Sequence, residues 1–427
     1  MKKILASILA IVSILGMTAC SQNAGSQNAQ TSNISQTSQP TQSGGTVERK
    51  SFAPIEITGD NVLNSVRVFD TMYEDNKQAM FSPLSLNMCL GMLEAGAAGS
   101  SKTALDSYLG NKDFAAFASD YLAHAKDFNY EQTGYEKYKN VFELANSFWA
   151  NKNKPFNKDY ISKVSENFGA ELDNLDFSKP EEAVETINGW VNDKTHEMIP
   201  KLLTPDNVSS DTAAVLVNTV YFESAWNNKW TVLGEKERFT NLDGSTVDTE
   251  LMINDGDCYF ENENAAAFAC GYKNGMKFIG ILPKKEGDFT LESLDISSLL
   301  ESRSYKYDVS AKMPKLNFES SFPLTDALKA AGLSDIFDEV KADFTPMQGS
   351  ADEHFYVSEV IQKTKLELDE EGTRAAAATA AIMEDKTAVV ESEEREKKEV
   401  FLNRPFAFLI YDEAADQIVF MGKVTDL

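Results

Sequence analysis

Between Leu366 and Val390 the chain carries a stretch that sharply narrows the folds open to it. An acidic strand end (Asp369, Glu370, Glu371) meets Gly372, then a run of almost uniformly small residues from Thr373 to Ala381, then a Met-Glu-Asp-Lys-Thr tip at 383–387. Alanine has the highest helix propensity and Thr373 suits an N-cap, so one reading is an exposed helix. The other is a loop built to become a strand, because only small side chains slide between two strands already packed over a core. Composition does not choose between them, and the rest of the chain must.

At the start, Met1-Lys2-Lys3 and the apolar stretch Ile4 to Gly16 lead into Met17-Thr18-Ala19-Cys20. That is a basic segment, an apolar core too short to span a bilayer comfortably, and a small-residue cleavage site ending in cysteine. It looks like a bacterial lipoprotein signal, with an ordinary secretory signal or an uncleaved anchor as the alternatives. On the lipoprotein reading residues 1–19 are removed and Cys20 carries a diacylglycerol thioether; two or more acyl chains hold a protein on a membrane where one does not. Residues 20–50, rich in Ser, Gln, Asn and Thr, bury too little surface to fold and read as a tether. No second linker of that composition follows, so residues 51–427 read as one large domain on the outer face of the membrane.

A formal charge of −26 argues against nucleic acid and against electrostatic attraction to an anionic lipid surface. After Cys20 there remain Cys89, Cys258 and Cys270, so at most one disulfide forms within the chain. Cys89 falls in an apolar helical pattern and reads as buried. Cys258 and Cys270 either pair or remain free core thiols.

Val62, Val66, Phe69 and Tyr73 recur at helical spacing after Thr58-Gly-Asp60. Ser82 is placed to cap a second helix whose first turn holds Pro83, running into Leu90, Leu93 and Ala97. Leu144 to Ala150, and Phe168 to Glu171 with Leu175 to Phe177, read as strands; Ile187 to His196 reads as a helix stopped near Pro200. Ala213 to Phe222 is a continuous apolar run that suits a strand covered on both faces, and its Asn218 then needs hydrogen-bond partners. Phe278 to Pro283 and Tyr307 to Pro314 follow as further elements, then a helix from Leu324 to Leu333 and two terminal strands, Phe406 to Tyr411 and Ile418 to Val424. The mixture predicts an α+β fold with large sheets.

Nothing here looks like catalytic apparatus. The three histidines, His124, His196 and His354, form no His-x-x-x-His pair, and there is no Cys-x-x-Cys, no Gly-x-Ser-x-Gly and no phosphate-cradling glycine loop. Cys89 and His196 make a poor nucleophile and base, because Cys89 lies on an apolar helical face. No cofactor or metal is expected.

Three segments in order carry a resemblance: Phe81-Ser-Pro-Leu-Ser-Leu86, the Glu370 to Ala381 stretch after Phe355 to Thr364, and Asn403-Arg-Pro-Phe-Ala-Phe-Leu-Ile410 with Phe420 to Val424. From about residue 52 onward the chain resembles the serpins, a family of suicide protease inhibitors. The resemblance implies a single large α+β domain with a large central mixed sheet, surrounding helices and an exposed reactive loop, here about 370–400. It implies that Glu370, Glu371, Gly372, Thr373, Arg374, Ala375, Ala376, Ala377 and Ala378 form the loop's hinge. It further implies that Ser82, Ser85, Asn218, Trp226 and Gln362 lie where the sheet opens. Ser82 as a plain helix cap and Trp226 as a plain core aromatic are compatible with this. The resemblance also implies that a target protease, of the serine class or also of the cysteine class, attacks the loop and is trapped as the acyl-enzyme when the cut loop joins the sheet.

Such a mechanism makes demands on alternation. Thr373, Ala375, Ala377, Thr379 and Ala381 would face the core after insertion, and all are small and uncharged. Arg374 stands where the family usually has an acidic residue, on the solvent-facing phase. The usual spacing of roughly seventeen residues from Glu370 lands on Lys386, making Lys386–Thr387 the expected bait bond for a trypsin-like partner. Glu384 and Asp385, and a longer segment to Phe401, leave Met383, Val390 and Arg395 open as baits for chymotrypsin-, elastase- or trypsin-like enzymes. The chain is expected to act as a monomer. A non-inhibitory serpin used for binding or chaperoning is the alternative, with a two-lobed solute-binding lipoprotein behind it.

Overall fold

The computed structural model of the chain describes residues 53–73, 78–110, 113–133, 137–373 and 395–427, together with the main chain of 9–15. Leu9–Leu15 forms β1. The Asp60 carboxylate accepts the N–H groups of Val62 at 2.9 Å and Leu63 at 3.2 Å and opens α1, Asn61–Met72. After β2 (Gln78–Phe81), Ser82 caps α2 (Pro83–Glu94) by accepting the Ser85 N–H, with Pro83 in the first turn. Every residue of α2 is buried, as befits a helix apolar all round.

Next come α3 (Gly99–Tyr108), α4 (Phe114–Ala125), β3 (Tyr130–Gln132), β4 (Tyr138–Asn151), α5 (Lys158–Phe168), β5 (Glu171–Leu175) and α6 (Pro180–Lys194). Helix α6 begins earlier than the apolar periodicity predicts, because Pro180 opens it and Glu181 and Glu182 favour its N-terminal dipole. The chain continues through β6 (Thr212–Ala225), β7 (Thr231–Val232), β8 (Glu237–Thr240), β9 (Thr246–Thr249), β10 (Leu251–Gly256), β11 (Cys258–Glu261), β12 (Ala265–Gly271) and β13 (Lys277–Pro283). Helix α7 (Ile296–Glu301), β14 (Tyr307–Pro314), β15 (Leu316–Pro323) and α8 (Thr325–Leu328) follow. The helix expected over 324–333 is broken: α8 has four residues and widens into a π turn in which Gly332 takes φ +83°. Last are β16 (Tyr356–Leu368), β17 (Gly372–Thr373), β18 (Glu396–Phe401), β19 (Phe406–Asp412) and β20 (Gln417–Val424).

Three sheets dominate. One runs β11-β12-β13-β19-β20-β2 and another β18-β14-β10-β7, with β8 and β9 forming a small ribbon. In the large central sheet β15 pairs with β16, β4 pairs with β6, and β3 and the parallel β5 extend beyond β4. Strand β6 is the one the apolar run predicts to be covered on both faces, and it is. Its Ala214, Leu216, Val220 and Phe222 join the main core around α2, while Val215, Val217 and Tyr221 join a second cluster with Ala183, Val184, Ile187 and Val191 of α6.

Strands β6 and β16 make no direct main-chain pairing among the described residues. They flank a slot one strand wide, filled near its mouth by β17 and further along by β1, which runs antiparallel to both. Leu9 lies opposite Thr219 and Lys363, and Leu15 opposite Thr212 and Tyr356. These seven residues belong to the stretch expected to be a signal peptide, so removal of 1–19 would vacate that part of the slot.

Cys89, Cys258 and Cys270 are all buried, and none of them forms a disulfide among the described residues. Cys258 lies directly opposite Ala269, so Cys270, one residue along, points to the other face of its strand and the pair does not bridge.

Candidate functional site

Strand β16 ends at Leu368, where the chain turns back on itself into the slot. The Asp369 carboxylate accepts the N–H groups of Glu371 (2.8 Å) and Gly372 (3.2 Å), and the Asp369 N–H donates to the Gly372 carbonyl at 3.0 Å. Three successive carbonyls of this turn are held from the far side. The Trp226 indole N–H donates to that of Asp369 at 2.8 Å, and the main-chain N–H groups of Trp230 and Trp226 donate to those of Glu370 and Glu371, each at 3.1 Å.

The acidic side chains of the turn are paired as well. Glu370 meets Lys315 at 2.7 Å and Glu371 meets Lys229. Lys315 holds the Glu370 carboxyl below the usual range, and Glu370 pushes the Lys315 ammonium up. All four side chains are about one-third exposed, so each pair adds at most about 1 kcal/mol.

Gly372 then enters the slot opposite Ala225, and Thr373 follows opposite Ser224 on β6 and Leu368 on β16. A Cβ on residue 372 would stand 2.3 Å from the Ser224 carbonyl oxygen and 2.9 Å from the Ala225 Cα. Main chain cannot move aside as a side-chain tip can, so the close approach requires glycine. Thr373 faces the core and is buried, as the alternation predicts.

Deeper in, the expected sheet-opening residues fall on the two sides of the slot. Gln362 on β16 grips Ser82 in both directions: its Oε1 accepts the Ser82 N–H at 2.8 Å and its Nε2 donates to the Ser82 carbonyl at 3.0 Å. The Ser82 hydroxyl donates to the Val419 carbonyl at 2.7 Å, so one residue serves as helix cap and as anchor beneath the sheet. Ser85 is buried in the first turn of the same helix. Asn218 lies on the other bank. Its Nδ2 donates to Asn146 Oδ1 on β4 at 2.6 Å, and Asn146 in turn donates to the Phe168 carbonyl. Asn218 and Gln362 are both opposite Ala10 of β1, one strand apart from each other. Each half of the sheet is thus tied to its own surroundings, and β17 and β1 lie along the line between the halves.

Trp226 sits at the mouth, 1 % exposed and stacked on Tyr272 at 4.2 Å. The residues that sequence reasoning missed are Lys229, Trp230, Tyr272 and Lys315, all remote in the chain from the segment they hold. Arg374, Ala375, Ala376, Ala377, Ala378, Met383, Lys386, Thr387, Val390 and Cys20 lie outside the described residues. Among the described residues no group of His, Cys, Asp and Glu is arranged to hold a metal, and no helix is long and apolar enough to cross a membrane.

Comparison with known proteins agrees with this architecture. Residues 63–427 match the family model described as serpin (serine protease inhibitor). An uncharacterised serpin-like protein of Methanosarcina acetivorans is 29 % identical over 393 residues, covering 87 % of this chain and 88 % of its own. The leukocyte elastase inhibitor of Xenopus tropicalis is 30 % identical over 375 residues, covering 84 % and 96 %. The crystal structure of the thermophilic serpin tengpin in its native state superposes with a TM-score of 0.72 at 27 % identity, over 89 % of this chain and 98 % of that one. Serpins are in general inhibitors that target proteases rather than enzymes, and the chain belongs to this family.

Proposed function

We propose that this protein is a suicide inhibitor of serine proteases. The observation that carries the reading is the slot: β6 and β16 stand one strand apart, and the loop's first two residues, Gly372 and Thr373, are already paired in it. Continued one for one from Thr373 opposite Ser224, the antiparallel register sets residue 385 opposite Thr212, the first residue of β6. Lys386 then falls just beyond the far end of the sheet. A protease serine attacking the Lys386 carbonyl forms an ester and releases the Thr387 amine. Insertion of the intervening residues would carry that ester roughly 40 Å from the mouth of the slot. Each new ladder bond contributes on the order of 1 kcal/mol net, so a strand of this length supplies a large drive.

A lysine bait points to a protease whose specificity pocket holds a carboxylate, hence a trypsin-like target. The same proposal places the domain on the outer face of a bacterial membrane, held through lipidated Cys20 and a tether over 20–50, as a monomer. The test is to mix the protein with trypsin, chymotrypsin and elastase, run denaturing gels, and locate the cut by mass spectrometry. A denaturant-resistant complex with cleavage after Lys386 is expected. Cleavage with all three enzymes left fully active would overturn the inhibitory reading in favour of a binding role for the same fold.

A further inference from the structure

We infer that Tyr272 is a positioning residue that latches the uncut loop into the sheet through Thr373, so that insertion starts from a strand already begun; this rests on the inhibitory reading above. Tyr272 follows β12 and is fully buried. Its ring is fixed on two sides, stacked on Trp226 with centroids 4.2 Å apart and planes 14° apart, and edge-on to Phe222 at 4.8 Å. Its main chain is fixed too. The Tyr272 N–H donates to the Met276 carbonyl, Tyr272 and Trp226 form an isolated antiparallel bridge, and the next N–H, of Lys273, donates to the Ala225 carbonyl on β6. A hydroxyl so rigidly placed has one use at the slot: it lies 2.6 Å from Thr373 Oγ1.

The contact joins the last described loop residue to a part of the molecule that belongs to neither flanking strand. Adding a strand costs most at its first residues, when backbone freedom is lost before a ladder repays it. With Thr373 tied down in register, each following residue adds to an existing strand. Because the ring is held by packing alone, removal of the hydroxyl leaves Trp226 supported and affects only the latch.

The experiment compares the wild-type chain with Tyr272→Phe, Thr373→Val, Thr373→Ser and the Tyr272→Phe/Thr373→Val double variant. Amide exchange at Gly372 and Thr373 is read by mass spectrometry, and the molar ratio of inhibitor needed to silence trypsin is read by titration. Tyr272→Phe and Thr373→Val are each expected to speed that exchange and raise that ratio by roughly two- to tenfold, the range of one net hydrogen bond. The double variant is expected to do no worse than either single one, and Thr373→Ser to behave as wild type. Unchanged exchange in Tyr272→Phe, or additive effects in the double variant, would overturn the latch. If the wild-type chain inhibits none of the three proteases, the inhibitory reading fails, and the exchange measurement still decides the latch.

Discussion

Replacing Gly372 with valine is expected to turn the inhibitor into a substrate, raising the molar ratio needed to silence its protease at least about tenfold, which is about 1.4 kcal/mol in the partition between trapping and release. The new Cβ would overlap the Ser224 carbonyl oxygen and the Ala225 Cα, both main chain of the most buried strand in the sheet. Residue 372 must then leave the slot, and Thr373 with it. Forfeiting two ladder bonds costs about 2 kcal/mol. The loop would still be cut, because the bait lies beyond the change, but its insertion would lose its start. Stoichiometric titration against trypsin checks this, with the melting temperature of the uncut variant as a control for folding. A variant that traps protease as efficiently as the wild type would show that seating of Gly372 and Thr373 is irrelevant to insertion.

Truncating Trp226 to alanine is expected to cost about 3 to 5 kcal/mol of stability, as for other large buried aromatics. The indole is 1 % exposed, stacked on Tyr272, edge-on to Phe278 at 5.9 Å, and bonded through its N–H to the Asp369 carbonyl. Trp226→Phe keeps much of the packing and loses the hydrogen bond, so it should cost about 1 to 2 kcal/mol. Guanidinium denaturation of the three proteins measures both. A loss below about 1 kcal/mol for the alanine variant would mean that the mouth of the slot is not the packed junction described above.

The parts of this molecule that could be read from its sequence are those decided locally. The caps at Asp60 and Ser82, the two-faced burial of β6 and the inward phase of Thr373 each follow from a short pattern and a period. The mouth of the slot is different in kind. Lys229 and Lys315 clasp Glu371 and Glu370 across 142 and 55 residues, and nothing marks them out among 40 basic residues. Tyr272 reaches Thr373 across 101 residues and becomes recognisable only once two distant strands are side by side. The resemblance sets Gln362 near the opening of the sheet, but its two-way grip on Ser82 shows only in the structure. Local propensity was also the weaker guide in the 324–333 segment. There Gly332 bends the chain inside the segment and a 3-10 turn over Ser334–Phe337 follows.

The most direct test of the central claim, that the space between β6 and β16 receives the loop as a strand, is thermal unfolding of the chain before and after a single cut within residues 374–394. If the loop enters the slot, the cut chain gains a full-length strand in the middle of its largest sheet and melts well above the intact one, by tens of degrees or beyond the accessible range. An unchanged or lower melting temperature after a cut verified by mass spectrometry would contradict insertion.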